Sequence, residues 1–179
     1  MPSDTAIPAA AGVTLILGGA RSGKSVLGEN LIAASGLEPV YIATSQAHDA
    51  EMRARVGQHK ARRGPEWSTI EEPDDLEGVL KREARACRAV LVDCLTLWVT
   101  NLMMAEADIA ARAKSLCATL ETIESPVVLI SNEVGLGIVP DNAMARAFRD
   151  HAGRLHQDIA ATADTVYFVA AGLPLKMKG

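Results

Sequence analysis

Residues 13–25 read VTLILGGARSGKS, and the order of residue types in this stretch decides the fold class. Val13 to Leu17 form a short β-branched and leucine run, apolar on both faces, which predicts a buried strand. Glycines follow, and from Lys24 to about Ala34 the pattern predicts a helix, with Gly36 as its stop. Gly18, Gly23, Lys24 and Ser25 fit the spacing G-x-x-x-x-G-K-[ST]. Glycines at those positions let the backbone curl, so that successive N–H groups point inward and wrap phosphates. The helix that opens at Lys24 adds a positive partial charge at its N-terminus. Lys24 reaches β- and γ-phosphates, and Ser25 supplies an oxygen for Mg²⁺.

Working outward, the same alternation repeats to the end of the chain. PVYIAT (39–44) reads as a second strand and 49–63 as a helix, with Met52, Val56 and His59 on one face. Gly64-Pro65 breaks that helix. WSTIEEP (67–73) is extended, and a helix begins near Pro73. AVLVDC (89–94) is a third buried strand, 95–124 is mostly helical, and PVVLISN (126–132) is a fourth strand. A long helix starts near Pro140 or Asp141, TVYFVAAG (165–172) is a fifth strand, and LPLKMKG (173–179) extends an edge or crosses the surface. Strands alternating with helices predict an α/β fold, a mainly parallel sheet with helices on both faces. We expect one domain over 12–179, preceded by a flexible tail at 1–11.

Composition narrows the function classes. The chain has 179 residues, 49% of them hydrophobic but only 3% aromatic, so Leu, Val, Ile, Ala and Met must build the core. A net charge of −4 argues against a general nucleic-acid binder. Cys87, Cys94 and Cys117 have no metal-ligand spacing; they read as reduced thiols of a cytoplasmic protein, packed as small core residues. The first residues do not read as a signal peptide, and no apolar run reaches the roughly 18 residues a membrane span needs.

Beyond the loop, three places carry chemistry. Asp93 ends a strand beside the loop, where an acid holds Mg²⁺ in such folds or merely caps a helix. Glu133, at another strand end, is a weaker candidate of the same type. The segment from Glu51 to Arg63 gathers Arg53, Arg55, Lys60, Arg62 and Arg63 around His59. It reads either as a solvated basic face or as a phosphate clamp beside a nucleophilic imidazole that the cations keep deprotonated. His48, His151 and His156 read as surface or packing residues. No N-K-x-D segment marks a regulatory GTPase.

Taken together, LGGARSGKS, VYIATSQAHDAEMRARVGQHKARR, WSTIEEP, LVDCLTLWVTNL, SNEVGLGIVP and GLPLKMKG resemble, in order, the blocks of the bifunctional adenosylcobinamide kinase / adenosylcobinamide-phosphate guanylyltransferase family. The resemblance runs from about Val13 to Gly179, and its EVGLGIVP and EM-x-x-R-x-x-x-HK blocks are far more specific than the phosphate loop. It implies a P-loop NTPase fold of RecA-like type, often trimeric. It implies two reactions: ATP or GTP phosphorylates adenosylcobinamide, and GTP then passes GMP through a histidine to adenosylcobinamide phosphate, releasing pyrophosphate. By the same resemblance His59 is the guanylylated residue. Nucleotide contacts fall on Gly18, Gly19, Ala20, Arg21, Ser22, Gly23, Lys24 and Ser25, on Ala43, Thr44 and Ser45, on Lys60, Ala61, Arg62 and Arg63, and on Glu71 and Asp93. Ser25 and Asp93 would hold Mg²⁺. Many relatives carry Glu at the Asp93 position, and some carry paired histidines where this chain has Gln58-His59. Two other readings fit the residues: a small-molecule kinase without guanylyltransferase activity, and a RecA-like ATP-binding module of a larger assembly.

Overall fold

The computed structural model describes residues 9–45 and 63–179. The helix expected over 49–63 therefore lies, except for Arg63, outside the described residues. Seven strands form one sheet: β1 (Val13–Gly18), β2 (Glu38–Ala43), β3 (Ser68–Glu71), β4 (Arg88–Asp93), β5 (Val127–Asn132), β6 (Thr165–Ala170) and β7 (Leu173–Lys178). Their order is β3-β2-β4-β5-β1-β6-β7. All neighbours are parallel except β6 and β7, which are antiparallel. Ala171 and Gly172, both at positive φ, make the two-residue turn between these last strands. The C-terminal segment thus adds an edge strand, one of the two outcomes its sequence left open.

Five helices among the described residues cover the sheet: α1 (Lys24–Ala34), α2 (Leu76–Glu83), α3 (Leu95–Met104), α4 (Ile109–Leu120) and α5 (Ala143–Thr162). The strand pleat explains the two-sided covering, because successive side chains point to opposite faces. In β4, Val90 and Val92 pack with Leu80 of α2, Trp98 of α3, Leu116 of α4 and Ile159 of α5. Ala89 and Leu91 pack on the other face with Leu31 and Ile32 of α1. The expected parallel sheet with helices on both faces is what forms. Gly28 lets α1 approach closely: a Cβ there would lie 2.9 Å from Leu91 Cδ1 and 3.0 Å from Ile130 Cδ1.

Local signals set the helix ends. Asp75, Asp108 and Asn142 accept hydrogen bonds from the N–H groups of Gly78, Ala111 and Ala145, which are otherwise unpaired donors in a first turn. Asn142, rather than Pro140 or Asp141, is the cap of α5. Ala10, assigned to the tail on sequence grounds, is buried, and its N–H bonds Leu31 O at 3.1 Å. The cysteines divide. Cys94 is buried, but Cys87 is exposed, contrary to its reading as a core residue. It sits just before β4, where its carbonyl accepts from Glu38 N at 3.0 Å, so its backbone extends the β2–β4 pairing while the residue is exposed.

His156 of α5 is the packing residue expected, and its partner is Ser131 at the end of β5, with Nε2 2.7 Å from Oγ. Burial holds its pKa below the ordinary 6.5, against the opposing charge of Glu133. The unfolded chain therefore binds a proton that the folded chain refuses, and His156 costs stability as pH falls below about 6.5. In wild type minus His156→Gln, the Tm difference should shift against the wild type between about pH 7.5 and pH 5.5; a constant difference would refute the linkage. Gly28→Val should lower the urea-unfolding free energy by about 1–3 kcal/mol through overpacking; an unchanged midpoint would mean that Leu91 and Ile130 simply give way.

Candidate active site

The loop between β1 and α1 lies at the carboxyl ends of the parallel strands, where ligands bind in open α/β sheets. Its shape depends on two glycines. Gly18 has φ +155°, and a Cβ there would run into the carbonyl oxygen of Val169 on β6. Gly23 has φ +103°, in the left-handed region, and a Cβ would stand 3.2 Å from Gly172 Cα. The loop backbone is thus pressed against the β6–β7 turn, which Gly172 N anchors by donating to Ser22 O at 2.8 Å. Arg21, at the exposed crest, also adopts positive φ.

Lys24 is buried, and its Nζ donates to Gly19 O at 2.6 Å. Burial pushes its pKa down, while the charge of Asp93 acts the other way. An ammonium held under a curled backbone is placed to exchange that carbonyl for a phosphate oxygen. Ser25 Oγ donates to Asp93 Oδ2 at 2.9 Å. These two residues come from α1 and β4, so the fold closes the pair across 68 positions of sequence. Among the described residues no group of three or more His, Cys, Asp or Glu gathers to hold a metal. A hydroxyl and a carboxylate are hard oxygen donors, of the kind that suits a cation which keeps water and takes substrate phosphate oxygens, as Mg²⁺ does.

Next to Asp93 stands a feature the sequence did not announce. Tyr41 of β2 is buried, and the Arg63 guanidinium carbon lies 3.2 Å from its ring centroid. Burial raises the phenol's pKa, reinforced by Asp93 and opposed by Arg63. Arg63 is only 7% exposed, yet its Nε and Nη1 have no hydrogen-bond partner among the described residues. A buried guanidinium with open donors is costly unless an anion completes it. Tyr41 escaped the sequence reading because a tyrosine in an apolar strand looks like core; only β2–β4 pairing, Tyr41 opposite Leu91 and Ala43 opposite Asp93, brings it here.

The other expected positions divide by what they are free to do. Thr44 is fully buried: its Oγ1 donates to Cys94 O at 2.7 Å and accepts from Cys94 N at 2.9 Å. Its carbonyl accepts from Asn101 Nδ2 at 2.8 Å. Thr44 thus ties β2 to the end of β4 and has little left for a ligand, whereas Ser45 beside it is half-buried. Glu71 ends β3 opposite Ala43. His59, Lys60, Ala61 and Arg62 lie outside the described residues, as does His48. Glu133 stands immediately after β5, its N–H donating to Gly18 O at 2.9 Å, on the β1 side rather than beside Asp93.

Solved structures with the same architecture include the flagellar accessory protein FlaH of Methanocaldococcus jannaschii, with TM-score 0.58, 15% identity, and 98% of this chain and 83% of that chain covered. The RadB recombinase matches with TM-score 0.53 and 17% identity over 89% of this chain and 74% of its own. Such likenesses show the fold, that of P-loop ATPases of RecA type. Sequence relatives say more. The bifunctional adenosylcobalamin biosynthesis protein CobP of Pseudomonas aeruginosa is 49% identical, covering 92% of this chain and 96% of its own. The Escherichia coli bifunctional adenosylcobalamin biosynthesis protein CobU is 40% identical, covering 92% and 98%. Residues 14–177, nearly the whole chain and with it the loop, Arg63 and Asp93, match a single family, and the protein belongs to it: cobinamide kinase / cobinamide phosphate guanyltransferase.

Proposed function

We propose that the loop between β1 and α1 serves both reactions of the family. In the first, a nucleoside triphosphate, ATP or GTP, phosphorylates the hydroxyl of adenosylcobinamide. In the second, a nitrogen of His59 attacks the α-phosphorus of GTP, a P–N bond forms, the bond to the bridging oxygen breaks and pyrophosphate leaves. A phosphate oxygen of adenosylcobinamide phosphate then displaces the imidazole, giving adenosylcobinamide-GDP. The observation that carries this reading is the convergence of Lys24, Ser25 and Asp93 at one strand end, with Ser25 Oγ 2.9 Å from Asp93 Oδ2.

Roles follow from the chemistry of each group. The N–H groups of Gly18 to Ser25 wrap the phosphates and Lys24 neutralises the β–γ end. Ser25 and Asp93 hold Mg²⁺, which when bound supplies charge neutralisation on the transferring phosphate. Arg63, stacked on Tyr41, offers its open Nε and Nη1 to a phosphate oxygen. Lys60, Ala61 and Arg62 carry the nucleotide beside His59, Ser45 and its neighbours Ala43 and Thr44 shape the wall, and Glu71 completes it. We assign the protein to the cytoplasm, in keeping with its unpaired cysteines and with the finding that no helix among the described residues is long and apolar enough to cross a membrane. A homotrimer is assigned on the resemblance; the exposed Leu173, Leu175 and Met177 on the edge strand suit self-association.

The decisive test uses GTP labelled at the α-phosphorus, with γ-labelled GTP as control, quenched in denaturant. Acid-labile, base-stable α-label should remain on the wild type and vanish in His59→Ala, which keeps γ-phosphoryl transfer. Absence of α-label from the wild type would reduce the activity to the kinase alone. Asp93→Asn keeps an acceptor for Ser25 but loses the charge, so γ-transfer should fall on the order of 10²-fold with the fold intact. An Asp93→Asn enzyme of full activity would remove Asp93 from the metal site.

A further inference from the structure

A cavity of about 670 Å³ opens beside the phosphate loop, over the ends of β5, β1 and β6. Gly19 and Ser22 form its loop wall, Leu136, Phe168 and Ala170 give it apolar sides, and Glu133 is its one carboxylate. The Ser25–Asp93 pair lies one strand beyond Glu133, at the end of β4. The Lys24 ammonium fixes which phosphate the cavity meets. Lysine in such a loop binds the β- and γ-phosphates, and here its Nζ is 2.6 Å from the carbonyl of Gly19, a cavity residue. The cavity therefore adjoins the part of the loop that receives the β- and γ-phosphates.

Glu133 is held for a purpose its own loop does not need. Its N–H is tied to Gly18 O at 2.9 Å, which fixes the residue against the start of the phosphate loop. One carboxylate oxygen, Oε1, accepts from Gly135 N. The other, Oε2, has no hydrogen-bond partner among the described residues, and no cation is paired with the group there. A carboxylate with one open oxygen, on a cavity that adjoins the phosphate loop and also holds Arg21, is the arrangement a general base needs.

We propose that this cavity receives the alcohol arm of the kinase acceptor and that Glu133 is the general base of the kinase step. The inference rests on the family's kinase activity and adds the acceptor subsite and its base. As the acceptor hydroxyl oxygen bonds to the γ-phosphorus, its proton passes to Glu133 Oε2. The bond from the γ-phosphorus to the β–γ bridging oxygen breaks, the nucleoside diphosphate leaves, and the proton goes on to water. The second reaction needs no such base, because its acceptor is a phosphate that is already ionised. Glu133 is therefore a residue of one activity and not the other.

That asymmetry is the test. Wild type, Glu133→Gln and Ala170→Trp would be assayed separately for γ-phosphoryl transfer from ATP to adenosylcobinamide and for GMP transfer from GTP to adenosylcobinamide phosphate. Glu133→Gln should lower kcat of the kinase step by about 10²-fold or more, leave KM for ATP within about twofold, and retain GMP transfer. Ala170→Trp narrows the cavity without touching Glu133 and should raise KM for adenosylcobinamide in the kinase step, with KM for ATP unchanged. An undiminished kinase kcat in Glu133→Gln, or a parallel fall of both activities together with nucleotide affinity, would overturn the assignment of the base. An unchanged KM in Ala170→Trp would overturn the cavity. A wild type that transfers no γ-phosphate would instead sink the kinase activity itself.

Discussion

The backbone of the phosphate loop touches the backbone of the β6–β7 turn, and no side chain fits between them. A Cβ on Gly18 meets the Val169 carbonyl and one on Gly23 meets Gly172. This contact sets the curl of the loop, and the curl sets where α1 begins. Because α1 begins at Lys24, Lys24 is buried beneath the loop and Ser25 faces the end of β4. Gly28, one turn later, then lets α1 settle on Leu91 and Ile130 of the same strands. The Ser25–Asp93 pair, the buried lysine and the packing of the first helix all follow from the absence of side chains at Gly18, Gly23 and Gly28.

The sheet order then distributes the chemistry. β5 is inserted between β1 and β4, so Glu133, at the end of β5, abuts Gly18, while Asp93, one strand further out on the same side of β1, meets Ser25. Two carboxylates thus stand at neighbouring strand ends beside one loop. One is paired with a hydroxyl in the manner of a cation site, and the other has an open oxygen over an apolar cavity. A protein that must transfer a terminal phosphoryl group to a neutral alcohol, and an internal phosphorus to an anion, needs different help for each acceptor.

Much of this was legible in advance. The glycine spacing after VTLIL, the alternation of short apolar runs with helical ones, and the blocks shared with a known family pointed to the parallel α/β fold and to the family. Asp93 was singled out because it ends a strand, and it does end β4, beside Ser25. Other features were hidden for definite reasons. Tyr41 resembles any core aromatic until Arg63 stacks on it across more than twenty positions of sequence. Thr44 looked like a nucleotide contact, yet its hydroxyl bridges both backbone groups of Cys94. Cys87 looked like core, but at its place before β4 it is exposed.

The sequence by itself determined which residues curl, which run straight and which coil into helices. Those are local choices, made by φ preferences and by the period of apolar residues. It therefore determined the loop, the alternation and the family blocks. Only the tertiary structure decided which strand lies beside which, and so which carboxylate joins Ser25 and which stands over the cavity. Strand order is set by burying two apolar faces of one sheet under helices on both sides, a sum over the whole chain. No short stretch carries that sum, and the meeting of Ser25 with Asp93 and of Glu133 with Gly18 appears only once the sheet has closed.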